Sequence, residues 1–306
     1  MNVLHMKYAV EVAKAGSLNK AAQTLLIAQP NLSRSIKELE AELGITIFNR
    51  SAKGMFLTPD GEEFIGYAQN ILRQIDQVES MYRGAAMPKQ RFSISVPRAT
   101  YISEAFTQFS RQLSDQSAEL FYKETNSQRT IRNLLERDFS LGIIRYAENY
   151  DQYFRALMDE KELNYEMICE FSYQLLMSRE HPLAEKEEIT FDDLSSFIEI
   201  AHADPYVPSI PLSKVVKEEL PDNISRRIFI YERASQFDLL AENTQTFMWV
   251  SPVPGKVLDR YGLVQRTCPQ NRKIYRDVLI YRSGYKLTSL DKAFITELCA
   301  AKRKYL

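Results

Sequence analysis

Cysteine and histidine are scarce, with 3 of each among 306 residues. The cysteines Cys169, Cys268 and Cys299 are odd in number and widely separated, which suits reduced thiols and argues against a disulfide framework or a zinc cluster. Glycine is also limited: after residue 88 only Gly142, Gly255, Gly262 and Gly284 occur, and none has the spacing of a phosphate-cradling loop. There is no G-x-S-x-G elbow and no His/Cys/carboxylate group at metal-ligand spacing. Catalysis is therefore not expected, and no catalytic residue, metal ligand or cofactor is assigned. No stretch approaches the ~20 apolar residues of a membrane span, and Met1 to Val10 lack the apolar core and cleavage site of a secretory leader. The expectation is a cytoplasmic chain with no membrane partner.

What is present is an ordinary globular composition, 45% hydrophobic and 26% charged, in a chain long enough for two or three compact units. The net charge of -1 hides a local split. Residues 1 to 58 carry seven Lys or Arg (Lys7, Lys14, Lys20, Arg34, Lys37, Arg50, Lys53) against four Glu (Glu11, Glu38, Glu40, Glu42), leaving the remainder net negative. Any nucleic-acid contact would thus belong to the N-terminal segment.

Punctuation divides that segment into short helices. Met6, Val10 and Ala13 mark one buried face, and Gly16 stops the first helix. Ser17 caps a second, whose Ala21 and Ala22 let a neighbouring helix approach closely while Leu25 supplies a core contact. Pro30 suits the first position of a third helix, with Leu32, Ile36, Leu39 and Leu43 as its inward stripe. Opposite that stripe lie Ser33, Arg34 and Lys37, with Asn31 on the first turn. Arg and Lys read guanine or neutralise phosphate, and Asn reads adenine, so this end suits a major groove. Taken alone, the same face also fits a solvated helix. Glu38, Glu40 and Glu42 would limit insertion to about the first two turns.

Ile45 to Arg50 and Met55 to Thr58 read as two strands joined by Ser51, Ala52, Lys53 and Gly54, a wing with positive charge at its tip and Arg50 as a phosphate clamp. The stretch from Tyr8 to Arg50, containing AVEVAKAGSLNKAAQTLLIAQPNLSRSIKELEAELGITIFNR, and the following LTPDGEEFIGYAQNIL, resemble the LysR-type transcriptional regulators in order and spacing. The resemblance implies a winged helix-turn-helix in which Gln29, Asn31, Ser33, Arg34 and Lys37 contact double-stranded operator DNA and Arg50 its backbone, with Lys53 beside it at the wing tip. Ala21, Ala22, Leu39 and Gly44 would serve packing.

Thr58 caps and Pro59 begins a long helix predicted to run to about Met87. Phe64, Ala68, Ile71, Ile75, Val78 and Tyr82 alternate at spacings of four and three, the a/d seam of a coiled coil. A homodimer is implied; the family resemblance adds a tetramer built through the effector domains. Packing of this helix on its own domain is the alternative. Gly84 to Gln90 is the expected hinge.

Beyond the hinge the rhythm is βαβαβ: Phe92 to Val96, a helical stretch from Ile102 to Leu113, Ala118 to Tyr122, a helical stretch from Arg129 to Glu136, then Leu141 to Ile144. A second unit follows, with strands at Tyr173 to Met177, Phe197 to Ile200, Arg227 to Tyr231 and Thr246 to Val250, before a strand at Tyr275 to Tyr281 and a helix at Ser289 to Lys304. The chain would cross between lobes near Asp159 to Glu166 and return near Val264 to Gln270. The fold class expected is α/β multidomain: a winged helix-turn-helix over 1–58, a linker helix and hinge over 59–88, and an effector domain over 89–306. Its lobe I would comprise about 91–161 plus 267–306, and lobe II about 162–266. The resemblance implies that this domain is similar to type 2 periplasmic binding proteins; Arg179, Glu180, His181, Pro182 and Leu183 carry part of that likeness.

A cleft between lobes suits an unidentified small-molecule effector. Arg98 and Thr100, in the turn after the first strand, are the leading candidates, with Ala99 the alternative if the register shifts. Asn126 with Ser127, Arg145 and His202 lie past other strand ends. Capping explains Asn126 and Ser127 equally well, and a satisfied histidine explains His202. Asn243 to Trp249 replaces a Gly-rich turn common in the family, so a regulator without ligand control remains the alternative.

Overall fold

A computed structural model describes residues 2–51, 54–82, 90–113, 117–136, 138–203 and 224–305. Residues 84–89 of the hinge expected over Gly84 to Gln90, and Lys53, lie outside the described residues, as do the side chains of Arg50 and Tyr82, while Gln90 begins a strand. The chain separates into two compact units, Met1–Lys89 and Gln90–Leu306.

In the first unit, side chains start the helices that the spacing predicts. The Asn2 carboxamide oxygen accepts from the Leu4 N–H at 2.9 Å and opens α1 (Val3–Ala15), which ends on Gly16 at φ 60°. Ser17 caps α2 (Leu18–Thr24). Helix α3 (Gln29–Leu43) starts on Ala28, so that Pro30 takes its second position rather than its first. The wing pairs β1 (Phe48–Ser51) with β2 (Gly54–Leu57) antiparallel. Its second strand is tied to the end of α1, where the Met55 N–H donates to the Gly16 carbonyl at 2.9 Å. One core joins these parts: Ala9, Val12, Ala21, Leu32, Leu39 and Ile47 are fully buried. Ala21 on α2 is fully buried in this core, and a larger side chain there would push its neighbours apart. Glu40 turns back from α3, its carboxylate accepting from the Ile47 and Phe48 N–H groups at 2.8 and 3.1 Å. It fixes the entry to the wing instead of standing on the reading face.

Helix α4 (Pro59–Tyr82) begins at the Thr58 hydroxyl, which accepts from the Gly61 N–H at 2.9 Å. The seam expected along this helix needs a correction at Ala68. That residue is fully buried in the core of its own unit with Ile65, while its neighbour Tyr67 is 61% exposed and Val78 54% exposed. Phe64 and Ile71 are partly buried against the same core, and Ile75 is half-buried.

The second unit contains two five-stranded sheets. The first has the order β4 (Ala118–Glu124), β3 (Gln90–Val96), β5 (Leu141–Ala147), β12 (Tyr275–Arg282), β6 (Leu163–Phe171). The second has the order β11 (Leu263–Arg266), β7 (Gln174–Ser178), β10 (Thr246–Val250), β8 (Ile198–His202), β9 (Arg227–Ile230). Each carries a parallel trio followed by an antiparallel neighbour: β4, β3 and β5 run parallel and β12 opposes β5, while β9, β8 and β10 run parallel and β7 opposes β10. The first crossing is displaced from its expected place, whereas the return falls within Val264 to Gln270. β6 pairs with β12 in the first sheet, so the chain leaves lobe I after Phe171 and not near Asp159 to Glu166. β11 pairs with β7 in the second sheet, so the return follows Arg266. Both are edge strands with polar outward positions, which mimic connecting chain in a linear reading.

Helices α5 (Thr100–Arg111), α6 (Ser127–Leu135) and α7 (Asp151–Glu160) cover the first sheet, together with the C-terminal helix Ser289–Tyr305. The aromatic centre of this lobe is Phe92, Phe109 and Phe294, whose ring centroids lie 4.7 to 5.8 Å apart. The second sheet is flanked by α8 (Phe191–Leu194) and by the helices Ala234–Glu242 and Gly255–Tyr261. Among the described residues no helix is long and apolar enough to cross a membrane.

Candidate functional site

The outward face of α3 is set by the inward one. Burial of Leu32, Ile36 and Leu39 leaves Asn31, Arg34 and Lys37 exposed, with Gln29 and Ser33 half-buried beside them. Arg34 is 82% exposed on its side chain and bonds Glu38 one turn on, Nε to Oε1 at 2.8 Å. An exposed pair of this kind contributes about 0.3–0.5 kcal/mol. That is too little to hold Arg34 against a phosphate or a base edge. No side chain caps the first turn of α3; Pro30 brings no N–H there, and the Asn31 N–H donates to the Ala28 carbonyl at 3.0 Å.

The second site is the cleft where the carboxyl ends of both parallel trios meet, the place open α/β sheets use for ligands. From lobe I come Arg98 in the turn after β3, Ser103 and Glu104 on α5, and Glu124 at the end of β4. From lobe II come Tyr231 and Arg233 after β9, and Lys256 at the start of the helix that follows β10. Side chains bridge the two lobes. The Arg98 guanidinium donates to the Tyr231 carbonyl at 2.9 Å. Arg233 lies 3.1 Å from the Glu124 carboxylate and donates to the Ser103 hydroxyl at 3.2 Å, and Lys256 pairs with Glu104. Tyr122 donates to Glu124 from within lobe I at 3.2 Å. Burial raises the Glu124 carboxyl above the ordinary carboxylate range; Arg233, the Tyr122 bond and Arg98 oppose the shift, and Glu232 adds to it. At Glu104 burial pushes the same way, but the bonds from Lys256 and Gln108 prevail and hold that carboxyl low.

Residues 3–62 match the bacterial regulatory helix-turn-helix proteins of the lysR family, and residues 85–301 match the LysR substrate binding domain. The chain belongs to the LysR family. Curated relatives include a Bacillus subtilis regulator, YcgK, of uncharacterized role, 44% identical over 101 residues that make up 33% of this chain and 31% of that protein. AlsR, an HTH-type transcriptional regulator of the same organism, is 29% identical over 63% of this chain and 62% of its own length. These matches span about a third to three fifths of the relatives' lengths; a third, YvbU of Bacillus subtilis, is 24% identical over 97% of both chains. The fold is shared with full-length CbnR, solved in complex with its target DNA, at TM-score 0.63 and 18% identity over 98% of this chain and 100% of that one. It is also shared with ArgP of Mycobacterium tuberculosis, at TM-score 0.61 and 16% identity over 97% and 96%.

Several residues expected in the cleft of this LysR-family chain serve other purposes. Arg145 forks onto Asp277, Nε to Oδ1 at 2.7 Å and Nη2 to Oδ2 at 2.6 Å, and its guanidinium stacks 4.6 Å from the Phe171 ring centroid. Both charges are buried, and Tyr101 donates to the same carboxylate at 2.6 Å. Freeing Arg145 for a ligand would leave Asp277 a buried, unpaired anion, at a cost of roughly 3–5 kcal/mol. Arg145 is therefore a structural ion-pair member. Asn126 caps α6, accepting from the Arg129 N–H at 2.9 Å, and Ser127 is tied to the Arg145 backbone through both its N–H and its carbonyl. Thr100 is the first residue of α5 and Ala99 its cap position, both buried. His202 is the last residue of β8, half-buried and paired in register with Ile230.

Glu124, Arg233, Glu104 and Lys256 were not singled out from sequence. Their signal is positional: each stands at a strand end or in the first turns of the following helix, where ordinary capping and solvation predict the same residue types. The cysteines form no disulfide, and burial pushes the Cys169 thiol up to about 11, away from thiolate reactivity. Among the described residues no His, Cys, Asp or Glu group is arranged to hold a metal ion.

Proposed function

We propose that this chain is a cytoplasmic transcription regulator that binds operator DNA through α3 and the wing, and that a small molecule entering the interlobe cleft controls it. The observation that carries the reading is the α3 face: Asn31, Arg34 and Lys37 stand exposed on a helix whose opposite side is locked into the core, within the segment matching the family's DNA-reading module. Gln29, Asn31, Ser33, Arg34 and Lys37 contact the operator, and Arg50 and Lys53 hold phosphates from the wing. The protein acts as a homodimer through α4, placing two reading heads on two half-sites, and doubles to a tetramer through the effector domains. Ligand changes DNA affinity only through its differential affinity for two arrangements of the lobes.

The test is a mobility shift with fragments flanking the protein's own gene under excess competitor DNA. Arg34→Ala and Ser33→Ala each weaken specific binding by about 1–3 kcal/mol per lost base contact, whereas Arg50→Ala chiefly lowers the salt slope. Unchanged operator affinity in both α3 variants would overturn the assignment of this face.

A further inference from the structure

Helix α1 ends on Gly16 at φ 60°, α3 on Gly44 at φ 70°, and the helix Gly255–Tyr261 on Gly262 at φ 62°. Glycine suits this left-handed bend, because any other L side chain brings its Cβ against the following carbonyl. The end of α2 takes the same bend with a leucine: Leu26 has φ 55°. Its backbone is held there by the Leu26 N–H donating to the Gln23 carbonyl at 3.2 Å and the Ile27 N–H to the Ala22 carbonyl at 3.0 Å. These paired bonds close a helix around a left-handed residue. Leu25 and Ile27 pack against the core of the unit on either side. Leu26 between them is 92% exposed, the most exposed large apolar side chain among the described residues. Glu162 bends likewise after α7, at φ 52°, but a charged side chain loses nothing by standing in solvent. Leu26 is both strained and bare, and a side chain so exposed gains almost nothing from packing that could offset the strain.

Its place in the fold points to the partner. Leu26 stands three residues before Gln29, which opens α3, and shares a shallow groove with Asn19, Ala22, Gln23, Ile27 and Gln29. The groove carries amides and apolar groups and no charged side chain, which suits a base edge rather than a phosphate. In the major groove an A·T pair presents adenine N6 and N7 to an amide and the thymine C5-methyl to an apolar side chain. We infer that Leu26 is a specificity-determining residue that packs on the C5-methyl of a thymine at the edge of each half-site. Glycine in its place would relieve the bend and offer the methyl group nothing. The inference rests on the reading of α3 as the DNA-contacting helix.

The experiment uses the full-length protein and a duplex that it selects from a random-sequence pool. Each thymine is replaced in turn by deoxyuridine, which lacks only the C5-methyl, and affinity is read by mobility shift for wild type, Leu26→Asn, Leu26→Gly and Arg34→Ala. For wild type, one replacement in each half-site lowers affinity about fourfold, the effect of burying one methyl-sized group. Both Leu26 variants bind the unreplaced duplex as weakly as wild type binds the replaced one, and lose nothing further at that position. Urea unfolding gives a readout that a packing role would move the opposite way: Leu26→Asn, whose side chain tolerates the bend, raises the midpoint. A scan in which every replacement costs wild type and Leu26→Asn alike would overturn the thymine contact. Weakening by Leu26→Asn that extends equally to competitor DNA would put the side chain on the sugar–phosphate backbone instead, and full affinity in both Leu26 variants would remove it from the interface. A lowered urea midpoint in Leu26→Asn would make leucine a structural part of the turn. Arg34→Ala separates the two readings: if it loses binding while the Leu26 variants keep theirs, only the Leu26 contact falls, and if it binds as wild type does, α3 is not the reading helix.

Discussion

His181 shows how a residue legible in a motif acquires its physical meaning only from its surroundings. Its Nδ1 accepts from the Leu183 N–H at 3.0 Å, so the proton sits on Nε2, which is buried without a hydrogen-bond partner against the Phe197 ring, 4.4 Å between centroids. Burial lowers its pKa to about 4. Because the unfolded chain takes up a proton near the ordinary pKa of about 6.5, the unfolded state binds more protons between those values, and stability falls as pH falls through that window. Between pH 7 and pH 5 the loss from this group is about 2 kcal/mol. Urea unfolding at the two pH values checks it: wild type loses that amount relative to His181→Asn, and parallel losses would refute the assignment. The same scale explains why Arg145 serves Asp277 and not the cleft. Its position past a strand end is identical in sequence terms to that of Arg98, but Asp277 is distant in the chain and opposite in the sheet, paired in register with it.

Elements were more legible than residues, because periodicity and caps are local. The helices of the reading head, the wing and α4 follow from repeat spacing and from Gly16, Ser17 and Thr58, whereas β6 and β11 read along the chain as connections. Gly61 illustrates a local signal with a tertiary cause. A Cβ there would lie 2.1 Å from the Ile47 carbonyl oxygen and 2.9 Å from its carbon, backbone atoms that cannot rotate away. The first turn of α4 therefore packs directly on the chain entering the wing. Gly61→Ala is expected to destabilise the N-terminal unit by about 1–3 kcal/mol through overpacking. Amide exchange confined to 2–82 reads it; protection unchanged from wild type would show that the close approach carries no weight.

At the scale of the whole molecule, the proposed dimer asks α4 to serve two partners, its own core and a second copy. Ala68 is used up by the first, which leaves Tyr67, Ile75 and Val78 for the second. Val78→Glu is expected to shift the protein toward monomer in sedimentation and weaken operator binding more than tenfold, because a charge on the seam loses its apolar contact on association. Ala68→Leu should lower stability by about 1–3 kcal/mol through overpacking and leave the oligomer unchanged. If Ala68→Leu dissociates the protein and Val78→Glu does not, the seam runs along the other face. The sequence by itself determined the reading head, the long helix and the two-lobed α/β plan, since these depend on spacing, capping and hydrophobic period within short stretches of chain. Only the tertiary structure decided which charged strand-end residues face the cleft and which are consumed by partners. Pairs such as Arg233 with Glu124 and Arg145 with Asp277 join residues more than 100 positions apart, and the free energy of a charge depends on the burial and partner it meets there, neither of which its neighbours in sequence specify.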